Sequence, residues 1–309
     1  MSIILNNTTN YSNNNIIYQE LRGGLGNQFL CILNIYSLAL EYDKDVILSY
    51  IENEKRKCFT YYSFFKNIKK SNILNDKIIK EFKTIKEKSN NFKFKKIKLP
   101  PNKNIVLKGY FQSFKYWWNY KENIKDIIYI DYDRVDIINK IYEDIGNKIL
   151  SIHIRLDDYY EHEEYFYIQT INYYKKALSY YNLNKYTIIL FSDDIDLAIE
   201  MIKPLELNYI LGNTIYKNDE YQMYMLMLSD VCICSKFLLM SSYLNEIFRF
   251  KPKAEYIYPS NWFNNKDVKF NLNDYMINNK FIQINTNKIS FKKRYDVLTP
   301  LHQKDLSTY

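Results

Sequence analysis

The sequence predicts an α/β protein made of two halves, each a parallel, doubly wound sheet. Three observations carry this reading. Short apolar runs of strand length alternate with helix-like segments along most of the 309 residues. A strand, a glycine turn and a helix succeed one another at the start, through Leu21-Arg22-Gly23-Gly24-Leu25-Gly26-Asn27-Gln28-Phe29. A second series of strands and helices begins near Asn147. The length suits two domains of about 150 residues each. The expected division is residues 1–146, residues 147–285 and a C-terminal appendage, residues 286–309, with a basic patch at Lys292-Lys293-Arg294.

The elements follow in order. Residues before Ile16 are rich in Asn and Ser. Ile16, Ile17 and Tyr18, with Leu21, read as the first strand, and Phe29 to Leu40 as the helix after the turn. Val46-Ile47-Leu48 reads as a second strand. Phe59 to Lys98 is Lys-rich and reads as helix-like in places, until Pro100-Pro101 breaks it. Ile105-Val106-Leu107 is a strand that runs into Gly109, and Trp117 and Trp118 fall on a helix as packing residues. In the second half Ile149 to Arg155 is a buried strand that ends in charge. A helix over Thr170 to Tyr181 follows, then a strand over Thr187 to Phe191. Ser192-Asp193-Asp194 reads as the cap and acidic first turn of the next helix. Further strands are expected at Tyr209–Leu211, Val231–Cys234 and Tyr256–Tyr258.

Composition narrows the function classes. A hydrophobic fraction of 47% supports packed cores rather than disorder. Tyr, Asn, Ile and Lys are inflated together, with 32 Tyr against 6 Gly and 6 Pro, the pattern of codon bias in an AT-rich genome. That bias weakens the net charge of +8 as a sign of nucleic-acid binding, since much of it sits between Lys66 and Lys108. No nucleic-acid partner is expected, and the charge suits a small anionic substrate. Cys31, Cys58, Cys232 and Cys234 form no Cys-x-x-Cys pair, and 3 His give no metal-ligand spacing. With no secretory signal and no apolar run of about 18 residues, a cytoplasmic protein with reduced, buried thiols and no membrane span is expected.

Two stretches point to phosphate chemistry. Three of the 6 glycines fall at 23, 24 and 26. A strand, a glycine turn and a helix bring bare backbone close to a phosphate at the helix N-terminus, unless the turn simply needed glycine. Asn27 is placed to cap that helix or to aim at a ligand. The glycine spacing is not that of the dinucleotide fingerprint, and no Gly-Lys-Ser/Thr follows. The other stretch is His153-x-Arg155-x-x-Asp158-Tyr159. His153 and Arg155 share a strand face, and a guanidinium fork binds phosphate bidentately unless it is spent on a salt bridge to Asp158. A glycine turn in one half and an arginine strand end in the other suggest a cleft that holds a diphosphate.

Taken in order, three stretches resemble the galactoside alpha-1,2-fucosyltransferase family, and more broadly the GDP-fucose-dependent transferases. They are Gly23-Gly24-Leu25-Gly26-Asn27-Gln28 with Ser37-Leu38-Ala39, Gly109-Tyr110-Phe111-Gln112-Ser113 with Lys115-Tyr116, and His153-Ile154-Arg155 with Asp158-Tyr159. Tyr173-Tyr174-x-x-Ala177, Phe191-Ser192-Asp193-Asp194 and Pro259-x-x-Trp262-Phe263 support them, so the likeness covers about residues 16 to 265. The resemblance implies a GT-B-like fold, two Rossmann-like domains facing across a cleft. It implies an inverting transfer of L-fucose from GDP-fucose to a glycan hydroxyl, in α-1,2 linkage to a galactose-type acceptor, with neither metal nor cofactor.

Carried over residue by residue, Arg155 would bind the diphosphate and stabilise charge on the leaving GDP, and His153 would contact the nucleotide. Gly24, Gly26 and Asn27 would approach the diphosphate from the first domain, and Asp193 or Asp194 would hold the nucleoside. Asp158, with Glu161 and Glu163 also in range, is the candidate general base. The chain departs from the family pattern at Leu156, where a second Arg is usual, and at Asp157, where Gly is usual. The later family segment Asn-Ser-Ser/Thr-Phe-Ser-Trp-Trp is eroded to Cys234-Ser235-Lys236-Phe237-Leu238-Leu239-Met240. Ser235 and Phe237 remain as donor-binding candidates, and loss of the Trp pair puts the usual acceptor in question. Two other readings stay open: a transferase with another GDP-sugar or acceptor, and a non-catalytic sugar- or nucleic-acid-binding module.

Overall fold

The computed structural model describes residues 15–50, 64–65, 76–88, 91–235, 239–277 and 281–285. Two sheets organise it, and every strand pair in both is parallel. Parallel strands covered by helices on both faces need near-continuous apolar runs. The chain supplies them in β1 (Ile16–Leu21), where all but Glu20 is buried, and later in β8 (Val231–Cys234), buried throughout.

The first sheet has the order β2-β1-β4-β3, with β2 (Asp45–Tyr50), β3 (Lys83–Lys86) and β4 (Ile105–Lys108). Helix α1 (Leu25–Tyr42) follows β1 and is buried from Gln28 to Ala39, the mark of a helix enclosed on all sides. Asp43 ends it in the left-handed conformation, φ 48°. Of the Lys-rich stretch read as helix-like in places, residues 59–63, 66–75 and 89–90 lie outside the described residues; the described part holds the single turn α2 (Asp76–Ile79) and a strand that was not expected, β3, Lys83-Thr84-Ile85-Lys86. This is an edge strand exposed except at Ile85, and lysines on such an edge block pairing with other chains. Trp117 joins two 3₁₀ turns, Phe114–Tyr116 and Trp118–Tyr120, and Trp118 opens the second, so neither is in an α-helix. Trp117 is fully buried, as its packing role requires.

After α3 (Lys121–Lys125), helix α4 (Tyr132–Ile145) carries the chain to the second sheet. Asp131 caps α4 by accepting the Arg134 N–H at 3.3 Å, and Gly146 ends it at φ 77°, where a side chain would be strained. The second sheet has the order β10-β9-β8-β5-β6-β7. Its strands are β5 (Lys148–Ile154), β6 (Tyr186–Ser192), β7 (Tyr209–Leu211), β8, β9 (Glu255–Pro259) and β10 (Phe281–Ile284). Counted from β5, this is the 3-2-1-4-5-6 order of doubly wound nucleotide-binding sheets. The strand β10 was not anticipated. The intervening helices are α5 (Asp157–Glu161), α6 (Ile171–Leu178), α7 (Ile195–Ile202), α8 (Gly212–Ile215), α9 (Asp219–Met227) and α10 (Leu239–Phe248).

The order of each sheet reverses once beside its first strand, between β1 and β4 and between β5 and β8. Ligands of such sheets bind beyond the carboxyl ends of the strands at that reversal. A single apolar core extends across both sheets, from Ile17, Phe29 and Leu107 to Cys232, Tyr258 and Trp262. Buried tyrosines serve this core with their hydroxyls on carbonyl oxygens, Tyr243 on Tyr275 at 2.9 Å and Tyr142 on Met225 at 2.9 Å. Cys31, Cys232 and Cys234 are free and buried, and Cys232 and Cys234 lie 3.6 Å apart at sulfur on one face of β8.

Candidate functional site

The strand register brings the charged residues of the second half together. His153 pairs with Cys234 of β8 and with Phe191 of β6, so Arg155, Ser235 and Asp193 emerge side by side past three neighbouring strand ends. Ser235 is 3% exposed and donates its backbone N–H to the His153 carbonyl at 3.1 Å. Its hydroxyl accepts the Arg155 N–H at 3.0 Å and lies 3.4 Å from Nδ1 of His153. With the hydroxyl proton directed to Nδ1, the neutral imidazole carries its own proton on Nε2. Burial, reinforced by the Arg155 charge, pushes the His153 pKa from 6.5 down to about 3, so the ring is neutral at physiological pH.

Arg155 is held from two directions. Its Nε lies 3.1 Å from Oδ2 of Asp193, and the guanidinium sits 5.8 Å from the ring centroid of Tyr159. Asp193 also accepts the Leu156 N–H at 2.8 Å. Burial raises the pKa of Asp193 against the opposing pull of Arg155 and of that N–H. The ion pair is thus made with Asp193, two strands' ends apart in sequence, and the Arg155 side chain stays 36% exposed. A partly exposed guanidinium oriented by a carboxylate, at a strand end next to a neutral imidazole, is suited to phosphate oxygens.

The neighbours explain the departures from the family pattern. Leu156 is fully buried in the second apolar cluster with Ile154, Tyr159 and Ile168, where an unpaired Arg would be costly. Asp157 is exposed. Asp158 lies within α5, and its side chain is outside the described residues, as are Lys236 and Phe237 altogether. Asp194 serves as the cap of α7, accepting the Leu197 N–H at 3.1 Å, while Asp193 turns to Arg155. Trp262 is buried with its Nε1 donating to the Pro259 carbonyl at 2.8 Å, and Phe263 stacks on Phe92 with centroids 5.0 Å apart. That late motif is a packing feature.

At the reversal in the first sheet lies the glycine turn. Gly24, not Asn27, caps α1; it has extended backbone, so the N-cap reading of Asn27 is corrected. Asn27 stands in the first turn of the helix, where no acidic residue is present. Gly23 needs to be glycine. Its φ is 79°, and a Cβ there would lie 2.6 Å from Nδ2 of Asn27. Gly24 and Gly26 have no such reason, because a Cβ at either would meet nothing within 4 Å. In a chain with only 6 glycines, two that neither the backbone nor the packing demands leave room for something outside the chain.

The other wall of this reversal is the stretch after β4. Gly109 has φ 153° and would clash with Glu87 if it carried a Cβ. Glu87 accepts the N–H groups of Tyr110 at 2.8 Å and Phe111 at 3.2 Å, and Phe111 is left-handed at φ 46°. Burial raises the Glu87 pKa against these two bonds. Gln19 donates to the Gly109 carbonyl at 2.9 Å, and Gln112 donates to Oδ1 of Asn27 at 2.5 Å. The first and second sequence motifs therefore meet in one hydrogen-bonded unit. Glu87 carried no signal in the sequence, since it stands in the Lys-rich stretch read as helix-like; Gln112 was visible only as a motif letter. Among the described residues, no group of three or more His, Cys, Asp or Glu is placed to hold a metal ion. No helix among them is long and apolar enough to cross a membrane.

No protein-family profile matches the chain, and no curated protein does. Solved structures do. NodZ alpha-1,6-fucosyltransferase soaked with GDP-fucose is 12% identical with a TM-score of 0.44, covering 74% of this chain and 92% of that one. POFUT1 in complex with GDP is 12% identical with a TM-score of 0.45, covering 81% of this chain and 99% of that one. Another NodZ structure, from Bradyrhizobium, is 11% identical with a TM-score of 0.41 over 74% of this chain and 93% of that one. Identities and scores at this level fix neither activity nor residue roles. The α/β class, with two parallel sheets in a GT-B-like plan, rests on the strand order and direction already described.

Proposed function

We propose that the chain is a glycosyltransferase using a GDP-sugar, and specifically an inverting fucosyltransferase that moves L-fucose from GDP-fucose to a glycan hydroxyl. The observation that carries this is the joining of His153, Arg155, Asp193 and Ser235 past three adjacent strand ends at the reversal of a doubly wound sheet. In this reading the second half binds the nucleotide, the division near residue 146 separates donor-binding and acceptor-side domains, and a cleft lies between them. Arg155, oriented by Asp193, takes the diphosphate and stabilises the charge that grows on GDP as the glycosidic bond breaks. The Nε2 proton of His153, set by the Ser235 hydroxyl at Nδ1, adds a neutral donor to the same oxygens. Asp194 and Phe237 are kept as further nucleotide contacts.

From the first sheet, Gly24 and Gly26 let the backbone approach and the first turn of α1 presents its positive end, with Asn27 beside it. Inversion requires the acceptor hydroxyl to attack from the side opposite GDP, with its proton taken by a base, a role assigned to Asp158. A guanidinium in this role makes a metal unnecessary for leaving-group departure. The finer expectations, an α-1,2 linkage and a galactose-type acceptor, rest on the sequence motifs alone, and the similar NodZ protein is an alpha-1,6-fucosyltransferase.

Calorimetric titration with GDP, GDP-fucose, GDP-mannose and UDP-sugars, followed by donor turnover, tests the proposal. Binding of GDP and GDP-fucose is expected, with turnover of the latter. Binding of UDP-sugars alone would refute the GDP assignment. Preference for GDP-mannose would favour the second reading, for which the eroded segment after Cys234 is the motive.

A further inference from the structure

We propose that Gln112 is a positioning residue for Asn27, fixing which end of the Asn27 amide faces the glycine turn. The inference deepens the donor-binding reading and rests on it. Four observations lead to it. Gln112 is 5% exposed, and its Nε2 donates to Oδ1 of Asn27 at 2.5 Å. Its own Oε1 is buried with no hydrogen-bond partner. Gly23 lacks the Cβ that would otherwise lie 2.6 Å from Nδ2 of Asn27. Glu87 holds the Tyr110 and Phe111 amides, and Phe111 takes φ 46°, so the chain arrives at Gln112 through a turn that is pinned from below.

An Asn side chain has one donor end and one acceptor end, and rotation by a half-turn exchanges them at little steric cost. With the acceptor end taken by the Gln112 amide, the donor end is the one turned toward Gly23. Next along the turn, a Cβ at Gly24 or Gly26 would meet nothing within 4 Å, so bare backbone there leaves room for a ligand. The N–H groups of an Asn27 donor end kept at this turn suit the oxygens of a diphosphate or of a departing phosphate; a carbonyl there would repel them. A residue serving only the core at position 112 would be apolar, because a buried amide with an orphaned carbonyl costs free energy. The arrangement is accounted for if Gln112 is kept for the one bond it donates among the described residues.

The experiment is a double-mutant cycle on the full chain, with GDP binding by calorimetry and donor turnover as readouts. Gln112→Met keeps the volume and removes the donor. It is expected to lower kcat at least about tenfold with a smaller change in KM for GDP-fucose, since a misplaced group costs rate before binding. In an Asn27→Ala background the same change is expected to have no further effect beyond about twofold, because the two residues act as one unit. Gln112→Glu, which can only accept from Asn27 and so draws its Nδ2 away from the turn, is expected to be worse than Gln112→Met.

Equal factors in both backgrounds, or full activity of Gln112→Met, would overturn the positioning role while leaving the donor reading intact. A folded wild-type protein that binds no GDP would overturn both. Thermal unfolding of each variant identifies any loss due to folding. Should Gln112→Met not fold, Gln112→Glu supplies the same comparison, and activity equal to wild type in that variant would refute the proposal.

Discussion

The two sheet reversals occupy equivalent places in their sheets and are built from opposite materials. The one beside β5 is made of side chains: a guanidinium paired with a carboxylate, and an imidazole paired with a hydroxyl that also accepts the Arg155 backbone N–H. The one beside β1 is made of backbone and amides, with Gly24 and Gly26 open and Asn27 held by Gln112. The first turns its charge toward the strand ends, whereas the second offers proximity, its carboxylate Glu87 being spent on the Tyr110 and Phe111 N–H groups. A diphosphate needs both, and the difference shows that equivalent topology does not demand equivalent chemistry.

Replacing the charge should cost most. Arg155→Ala is expected to lower donor turnover about 10²–10³-fold, the usual loss when a group stabilising developing negative charge is removed. Arg155→Lys should recover only part of it, because a point charge lacks the planar fork. Initial rates with GDP-fucose check both, and wild-type turnover by Arg155→Ala would erase the contrast between the reversals. Asp193→Asn retains an acceptor for Leu156 and removes the charge opposite Arg155, and should cost about 1.5–3 kcal/mol of transition-state stabilisation, read from kcat/KM.

At the neutral reversal the effects are smaller and separable. Gly23→Ala strains a residue at φ 79° and crowds Asn27, so about 1–2 kcal/mol of stability should be lost in denaturant titrations. Gly26→Ala fills empty space in a helix and should stabilise the fold by up to about 1 kcal/mol while weakening GDP binding. A variant that gained stability and kept full affinity would show that the glycine serves no ligand. The weakest test is pH. His153 is neutral in the fold down to about 3, whereas an unfolded His takes up a proton near pH 6.5. Its contribution to stability is therefore intact above about pH 6.5 and declines as pH falls toward 3. His153→Gln should flatten that decline in urea midpoints measured between pH 7 and pH 4.

The second sheet was more legible in the sequence than the first. Val231–Cys234 and Tyr209–Leu211 were read at their observed bounds, because both are short apolar runs between helical segments, the first buried throughout and the second apolar although at the sheet edge. Lys83–Lys86 escaped notice, since an edge strand buries little and its lysines mimic a solvated helix. In the site, Arg155, His153 and Ser235 were visible because phosphate chemistry restricts the residue types that can serve. The partner of Arg155 was not: an ion pair between Arg155 and Asp193 is fixed by register between β5 and β6, which residue spacing does not encode. Nor was Glu87, whose role is to hold two backbone amides in a turn set by Gly109 and Phe111.

Asp274 joins the halves more tightly than apolar contact alone. Its side chain is buried, with one carboxylate oxygen 2.7 Å from Nζ of Lys115 and the other accepting the Phe94 N–H at 2.8 Å, and its carbonyl takes the Ser113 hydroxyl at 2.5 Å. A residue far along the chain thus completes the segment that follows Gly109. For anyone who would recombine this protein with others, the natural exchangeable unit is not a half. A chimera joined near residue 146 would strand a buried carboxylate on one side and its lysine on the other, so grafting a different first half onto this second half would require carrying residues 91–115 and 260–277 as a matched set.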